Sequence, residues 1–359
     1  MREEPLYISN PCLPNIQEYK HLLHKIWNNG ILTNHGPYCQ KLEHELKSYL
    51  KTESEVILVN NCTSGLEIAI KALGEFKNHY VTPFSFIATL SCLQWMGCKN
   101  IIFPDIDEAT FNINVNEIEP TDNSLGLFTH VFGNPCKVEK LEDKFTGDSK
   151  LIFDAAHAFD VKIKDKSILD FGDISAVSFH ATKMFNTVEG GAIFCKDKEL
   201  AEKIRSMINF GLVNGQPINQ GTNAKLSELH SIMGLANLNN FKSVKDIYNN
   251  NYKIYKRKLN DLVTFQLIDS NVVWNFSYCP IILPTEQKVL SIQKKLEEKN
   301  IYTRRYFFPS LNTVANHSQK CPVSESISTR VLCLPIHQEV TNEDILVICS
   351  TIIAELKTR

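Results

Sequence analysis

Seven short runs, most of them apolar at every position, recur through the first two thirds of this 359-residue chain. They are Val56 to Val59, Tyr80 to Thr82, Asn100 to Phe103, Leu125 to Val131, Leu151 to Phe153, Ser175 to Phe179 and Ala192 to Phe194. A strand with one face in water alternates apolar with polar residues, whereas a strand covered on both faces does not. Helical patterns separate several of the runs, for instance Ser64 to Leu73 and Thr89 to Met96. This alternation predicts an α/β fold with a mostly parallel seven-stranded sheet between two layers of helices.

Further along, a helix is expected from Lys198 to about Ile208, then a Gly- and Asn-rich loop through Gly221. Lys225 to Asn239 reads as a helix with Leu226, Leu229, Ile232, Met233 and Ala236 on one face. Beyond about residue 241 long polar helices mix with short strands, including Tyr278 to Leu283 and Val331 to Pro335. The expected division is a large domain over residues 1–240 and a smaller C-terminal α+β domain over 241–359.

A net charge of -2 gives no electrostatic case for a nucleic-acid or membrane partner. Met1-Arg2-Glu3-Glu4-Pro5 is not followed by an apolar secretory core, and no apolar run could span a bilayer. A soluble, cytoplasmic protein is expected. The eleven cysteines have neither an even count nor metal-knuckle spacing, so no disulfide framework and no metal site is expected. Cys92, Cys195, Cys333 and Cys349 lie in apolar surroundings, where a thiol acts as a small hydrophobe.

The chemistry-bearing residues follow two of the strands. Asp154, in Asp154-Ala155-Ala156-His157-Ala158, ends the run from Leu151. Lys183, in Ser178-Phe179-His180-Ala181-Thr182-Lys183, follows the next run and precedes Glu189-Gly190-Gly191. A pyridoxal phosphate enzyme needs such a pair, a lysine to hold the cofactor covalently and a carboxylate to keep its ring nitrogen protonated.

The order of motifs, from Thr33-Asn34-His35-Gly36-Pro37 to Leu334-Pro335-Ile336, resembles the DegT/StrS-type sugar aminotransferases. The resemblance implies pyridoxal phosphate fold type I, the aspartate aminotransferase-like fold. It assigns Lys183 and Asp154 to catalysis, with Lys183 also moving protons. His157 would lie near the cofactor's ring hydroxyl. Asn61-Cys62-Thr63-Ser64-Gly65-Leu66 resembles the family's phosphate-binding turn, with Thr63, Ser64 and Ser178 as hydroxyl donors. Cys62 stands where relatives commonly carry glycine. Thr82-Pro83-Phe84-Ser85-Phe86 matches the segment whose aromatic stacks on the ring, with Phe86 in that role and Phe84 in the core.

Gly221-Thr222-Asn223-Ala224-Lys225 resembles a loop that reaches the partner's cofactor phosphate in relatives. It implies a homodimer with shared active sites, Asn223 making the contact and Lys225 near the substrate. Arg304, Arg305 and Tyr306 fall in a segment that borders the substrate pocket in relatives, where arginines suit a diphosphate or a carboxylate.

Within the family the pattern is most similar to enzymes that aminate carbon 4 of a dTDP-linked 4-keto-6-deoxyhexose. The implied reaction takes the amino group from L-glutamate, releases 2-oxoglutarate and gives dTDP-4-amino-4,6-dideoxy-D-glucose. Such a product feeds O-antigen, lipopolysaccharide or another glycosylation route. Amination at carbon 3 of a dTDP-3-keto-6-deoxyhexose is the rival within enzymes. A non-catalytic regulatory protein that keeps the fold is the rival outside them.

Overall fold

The computed structural model describes residues 2–314 and 319–358. Seven strands form the large sheet: β1 (Glu55–Val59), β2 (Asn78–Val81), β3 (Ile101–Ile102), β4 (Ser124–Thr129), β5 (Lys150–Asp154), β6 (Ile174–Ser178) and β7 (Gly191–Cys195). Their order is β1-β7-β6-β5-β4-β2-β3. All neighbours are parallel except β7, which runs antiparallel to both β1 and β6. The seven expected runs are these seven strands. Asn100 to Phe103 contracts to two residues at the sheet edge, and Leu125 to Val131 ends at Thr129 before a turn over Val131–Gly133.

Among the described residues ten α-helices accompany the sheet: α1 (Ile16–Asn29), α2 (Pro37–Leu50), α3 (Cys62–Leu73), α4 (Ile87–Trp95), α5 (Val138–Lys144), α6 (Lys198–Met207), α7 (Glu228–Leu259), α8 (Glu286–Glu297), α9 (Pro322–Arg330) and α10 (Asn342–Lys357). The sheet explains its own apolar runs. Val56 and Leu58 of β1, Leu151 and Phe153 of β5, and Phe194 of β7 belong to a core shared with Leu42 and Leu46 of α2 and Phe241 of α7. Ile57, Ile152 and Ile193 point into a second core with Leu66 of α3, Leu90 of α4 and Ile204 of α6. Both faces are buried, so neither tolerates a polar alternation.

The helix expected from Lys225 to Asn239 starts later and runs on. Ser227 caps it by accepting the His230 amide, and α7 continues to Leu259. Its buried positions Phe241, Val244, Tyr248, Tyr252, Tyr255 and Leu259 keep one face inward past the polar stretch. The boundary expected at residue 240 therefore falls inside a continuous helix. The C-terminal part holds an antiparallel sheet of β8 (Thr264–Phe265), β9 (Cys279–Ile282) and β10 (Val331–Leu334), with β9 in the middle.

The chain start belongs with this C-terminal unit. Leu6 bridges to Ile301, Arg2 pairs with Asp344 at 2.6 Å, and His337 Nε2 lies 3.0 Å from the Tyr7 carbonyl. Strand pairing also crosses the expected boundary, since Val272–Val273 pairs with Lys162–Ile163. All eleven cysteines are free thiols, nine of them buried. Among the described residues no helix is long and apolar enough to cross a membrane.

Candidate active site

The carboxyl ends of β4, β5 and β6 face the start of α3 across a cavity of about 420 Å³. Ligands of open α/β sheets bind at such strand ends. Tyr278, Tyr306 and Phe307 from the C-terminal unit complete the walls.

Asp154 is the last residue of β5 and is buried. Thr89 donates its hydroxyl to Oδ2 at 2.6 Å, and the Ala156 amide donates to Oδ1 at 3.1 Å. Burial pushes the Asp154 carboxyl above the usual range, while those two hydrogen bonds and the charge of Lys183 oppose the rise. Lys183 lies in the turn after β6, its amide bonded to the His180 carbonyl. Its Nζ lines the cavity and donates to Tyr278 Oη at 3.2 Å. Burial draws the Lys183 ammonium below the ordinary lysine range, with Asp154 the largest opposing influence. An amine depressed in this way is better suited to accept a proton near neutral pH.

His157 sits one turn past Asp154 with its ring parallel to Phe307, centroids 5.7 Å apart, and tilted against Tyr278 at 4.6 Å. Burial, reinforced by Lys183, holds its pKa well below the usual histidine range. The side chain lines the cavity, while its Nδ1 is buried without a hydrogen-bond partner.

The glycine pair makes room for this assembly. A Cβ on Gly191 would stand 2.7 Å from the Val177 carbonyl and 2.9 Å from the Cys62 amide, so β7 passes directly beneath the start of α3. Asn61 caps α3 by accepting the Ser64 amide at 2.8 Å. Cys62, in the glycine position, is the first residue of α3 and does not have a positive φ, so the turn needs no glycine there. The opening amides of α3 lie at the cavity wall beside Thr63.

Of the residues expected from sequence, the fold brings Thr63, Phe86, Asp154, His157, Ser178, Lys183 and Tyr306 to one cavity. Phe86 is 54% exposed there, whereas Phe84 is buried against Phe111, Phe132 and Phe307. Ser64, Asn223, Lys225, Arg304 and Arg305 are not among the lining residues. Arg305 is bonded to Glu286 at 2.6 Å and to the Thr329 carbonyl, and it stacks on Phe308. Lys225 donates to Asn209 at 2.9 Å and lies over the Phe210 ring. Asn223 and Arg304 are exposed.

Sequence reading missed Thr89 and Tyr278 as site residues. Thr89 follows the aromatic segment by one helical turn and carries no local mark of its role. Tyr278 is brought to Lys183 from 95 residues away. Among the described residues His35, Cys39 and Glu43 place three potential metal-ligand atoms together. Glu43 is already bonded to Arg205 at 3.0 Å, and it accepts the Leu58 amide at 3.0 Å. That guanidinium stands where a cation would have to compete with it.

Residues 15–353 match the model of the DegT/DnrJ/EryC1/StrS aminotransferase family. The chain is 37% identical to a dTDP-4-amino-4,6-dideoxy-D-glucose transaminase of Shigella dysenteriae, over 98% of this chain and 99% of the relative. It is 31% identical to the transaminase of the same name in Escherichia coli, over 97% of each. Among solved structures it is similar to DesI, crystallised in the presence of its TDP-sugar product, with a TM-score of 0.91 and 28% identity over 99% of this chain and 94% of that one. With a lysine and a carboxylate lining one cavity at the strand ends of its sheet, the chain belongs to the DegT/DnrJ/EryC1/StrS aminotransferase family.

Proposed function

We propose that this aminotransferase uses pyridoxal phosphate to move an amino group from L-glutamate to a nucleotide-linked keto sugar. The substrate is dTDP-4-keto-6-deoxy-D-glucose and the product dTDP-4-amino-4,6-dideoxy-D-glucose, in keeping with the names of the Shigella and Escherichia relatives. The observation that carries the reading is Lys183, Asp154 and His157 lining one cavity.

The residues present fit the cofactor. Asp154 would supply a buried carboxylate for the ring nitrogen, His157 a side chain at the ring hydroxyl, and Phe86 an aromatic face. Thr63, Ser178 and the first amides of α3 suit the phosphate, with Ser64 closing that turn. When bound, pyridoxal phosphate supplies an electron-accepting ring. Asp154 would hold the ring nitrogen, and Lys183 would supply the basic nitrogen beside the substrate. Lys183 takes a proton from the substrate carbon at Nζ and returns it, and Tyr278 Oη fixes where that nitrogen stands.

Tyr306 borders the substrate. Asn223 and Lys225, outside the chain's own cavity, act in a homodimer by reaching the partner's site; exposed Arg304 is the candidate for the diphosphate or the glutamate carboxylate, and Arg305 would have to leave Glu286 to join it. The reaction belongs to the cytoplasm, where nucleotide sugars are made.

The absorption spectrum of the purified protein tests the reading. Added pyridoxal phosphate should give the visible band of a lysine-bound cofactor, which L-glutamate converts to a near-ultraviolet one. A dTDP-4-keto sugar should then restore it. If no band forms, or Lys183→Ala responds like wild type, the reading fails. Product analysis separates amination at carbon 4 from carbon 3.

A further inference from the structure

Three hydroxyls run in single file to Asp154 along the cavity wall, which Ser85 and Thr129 help to form. Thr129 Oγ1 lies 2.7 Å from Ser85 Oγ, Ser85 Oγ lies 2.7 Å from Thr89 Oγ1, and Thr89 donates to Asp154 Oδ2 at 2.6 Å. The three come from different elements: the end of β4, the turn after β2 and the first turn of α4. All are buried, with 2%, 2% and 0% exposure for Thr129, Ser85 and Thr89.

Proton counting gives this chain a direction. A hydroxyl has one proton to donate, and an ionised carboxylate only accepts. When Asp154 is ionised, Thr89 commits its proton to Oδ2, so its oxygen accepts from Ser85, and Ser85 in turn accepts from Thr129. A protonated Asp154 favours the reverse order. In a site this dry each bond polarises the next, so the far links strengthen the bond at the carboxylate.

We propose, building on the cofactor assignment above, that Thr89, Ser85 and Thr129 are positioning residues whose ordered hydroxyls hold Asp154 ionised and thereby keep the proton on the cofactor's ring nitrogen. Burial opposes that charged state, and the Thr89 hydrogen bond is the largest influence against it. The Ala156 amide bonds the other oxygen, and Lys183 faces the carboxylate from the turn after β6. The hydroxyl file is the remaining support, and a purely space-filling role would be met equally well by valine or alanine.

The test is the chemical shift of pyridoxal phosphate labelled with ¹⁵N in its ring and bound to the full chain. Wild type should report a protonated nitrogen. Thr89→Val should move the proton partition by about tenfold or more toward neutral pyridine, the size expected for one hydrogen bond to a charged group. Thr89→Ser should restore it, and Ser85→Ala should fall between. If Thr89→Val does not fold, Ser85→Ala and Thr129→Val decide. Loaded variants with the wild-type shift would overturn the inference and leave the function intact. A wild-type protein that takes up no cofactor would overturn both.

Discussion

Replacing Asp154 by asparagine separates what this residue does for the fold from what it does for a ligand. In the cofactor-free protein its carboxylate is buried, with two hydrogen bonds and no ion pair within salt-bridge distance among the described residues. Taking a carboxylate out of water costs several kcal/mol. Two hydrogen bonds to a charged group offset about 1.5–3 kcal/mol each, leaving a residual penalty on the order of 1 kcal/mol. Asparagine keeps the shape, can still accept from the Ala156 amide, and can donate to Thr89.

The pH dependence fixes the sign. The folded pKa of Asp154 is raised, so its contribution to stability is present below the unfolded value and lost as pH rises through the folded one. Asp154→Asn should therefore match wild type near pH 4 and exceed it by about 1 kcal/mol at pH 8. For a chain this long that is about 2 °C in melting temperature. Calorimetry of the cofactor-free proteins from pH 4 to pH 8 measures it. With pyridoxal phosphate the order should reverse, because the ligand stabilises the form that binds it. A variant less stable than wild type at pH 8 without cofactor, or a difference independent of pH, would refute the argument.

Two further substitutions test the supporting residues. Tyr278→Phe removes the acceptor of Lys183 Nζ but leaves the packed ring, so cofactor content should hold while the glutamate half-reaction slows roughly tenfold, read by stopped-flow absorbance. Glu228 is buried and accepts the Tyr38 and Cys39 amides at 2.9 and 2.8 Å, which places a carboxylate at the start of α2. Glu228→Ala leaves both amides without a partner and should cost about 3 kcal/mol or more in urea unfolding; a loss under 1 kcal/mol would show that water reaches them.

The sheet and half of the site could be read from the residues because each rests on a local pattern. Leu151 to Phe153 is apolar throughout since both of its faces are covered, and Asp154 follows where such a strand must open to a ligand. What could not be read depends on contacts made at long range. Thr89 matters through Ser85, Thr129 and Asp154, and no periodicity records a hydrogen bond between a helix and two strand ends. Tyr278 looked like the start of a strand, which is nearly true, and its hydroxyl gains meaning only against Lys183. The helix expected to end at Asn239 continues to Leu259 because polar residues after Asn239 mask the inward stripe that Phe241 begins.

The two ends of the chain are held in one lobe, with Arg2 and Asp344 paired across 342 residues of sequence. During synthesis every strand of the large sheet has been made by Cys195, so that sheet can close while the ribosome is still extending the chain. The small lobe has no such head start. Its first residues emerge earliest and wait, unmatched, until almost the last helix arrives. A bulky fusion or a clipped segment at the beginning of the chain thus strikes the part assembled last, and its effect should appear as slow or incomplete maturation before it appears as a damaged active site.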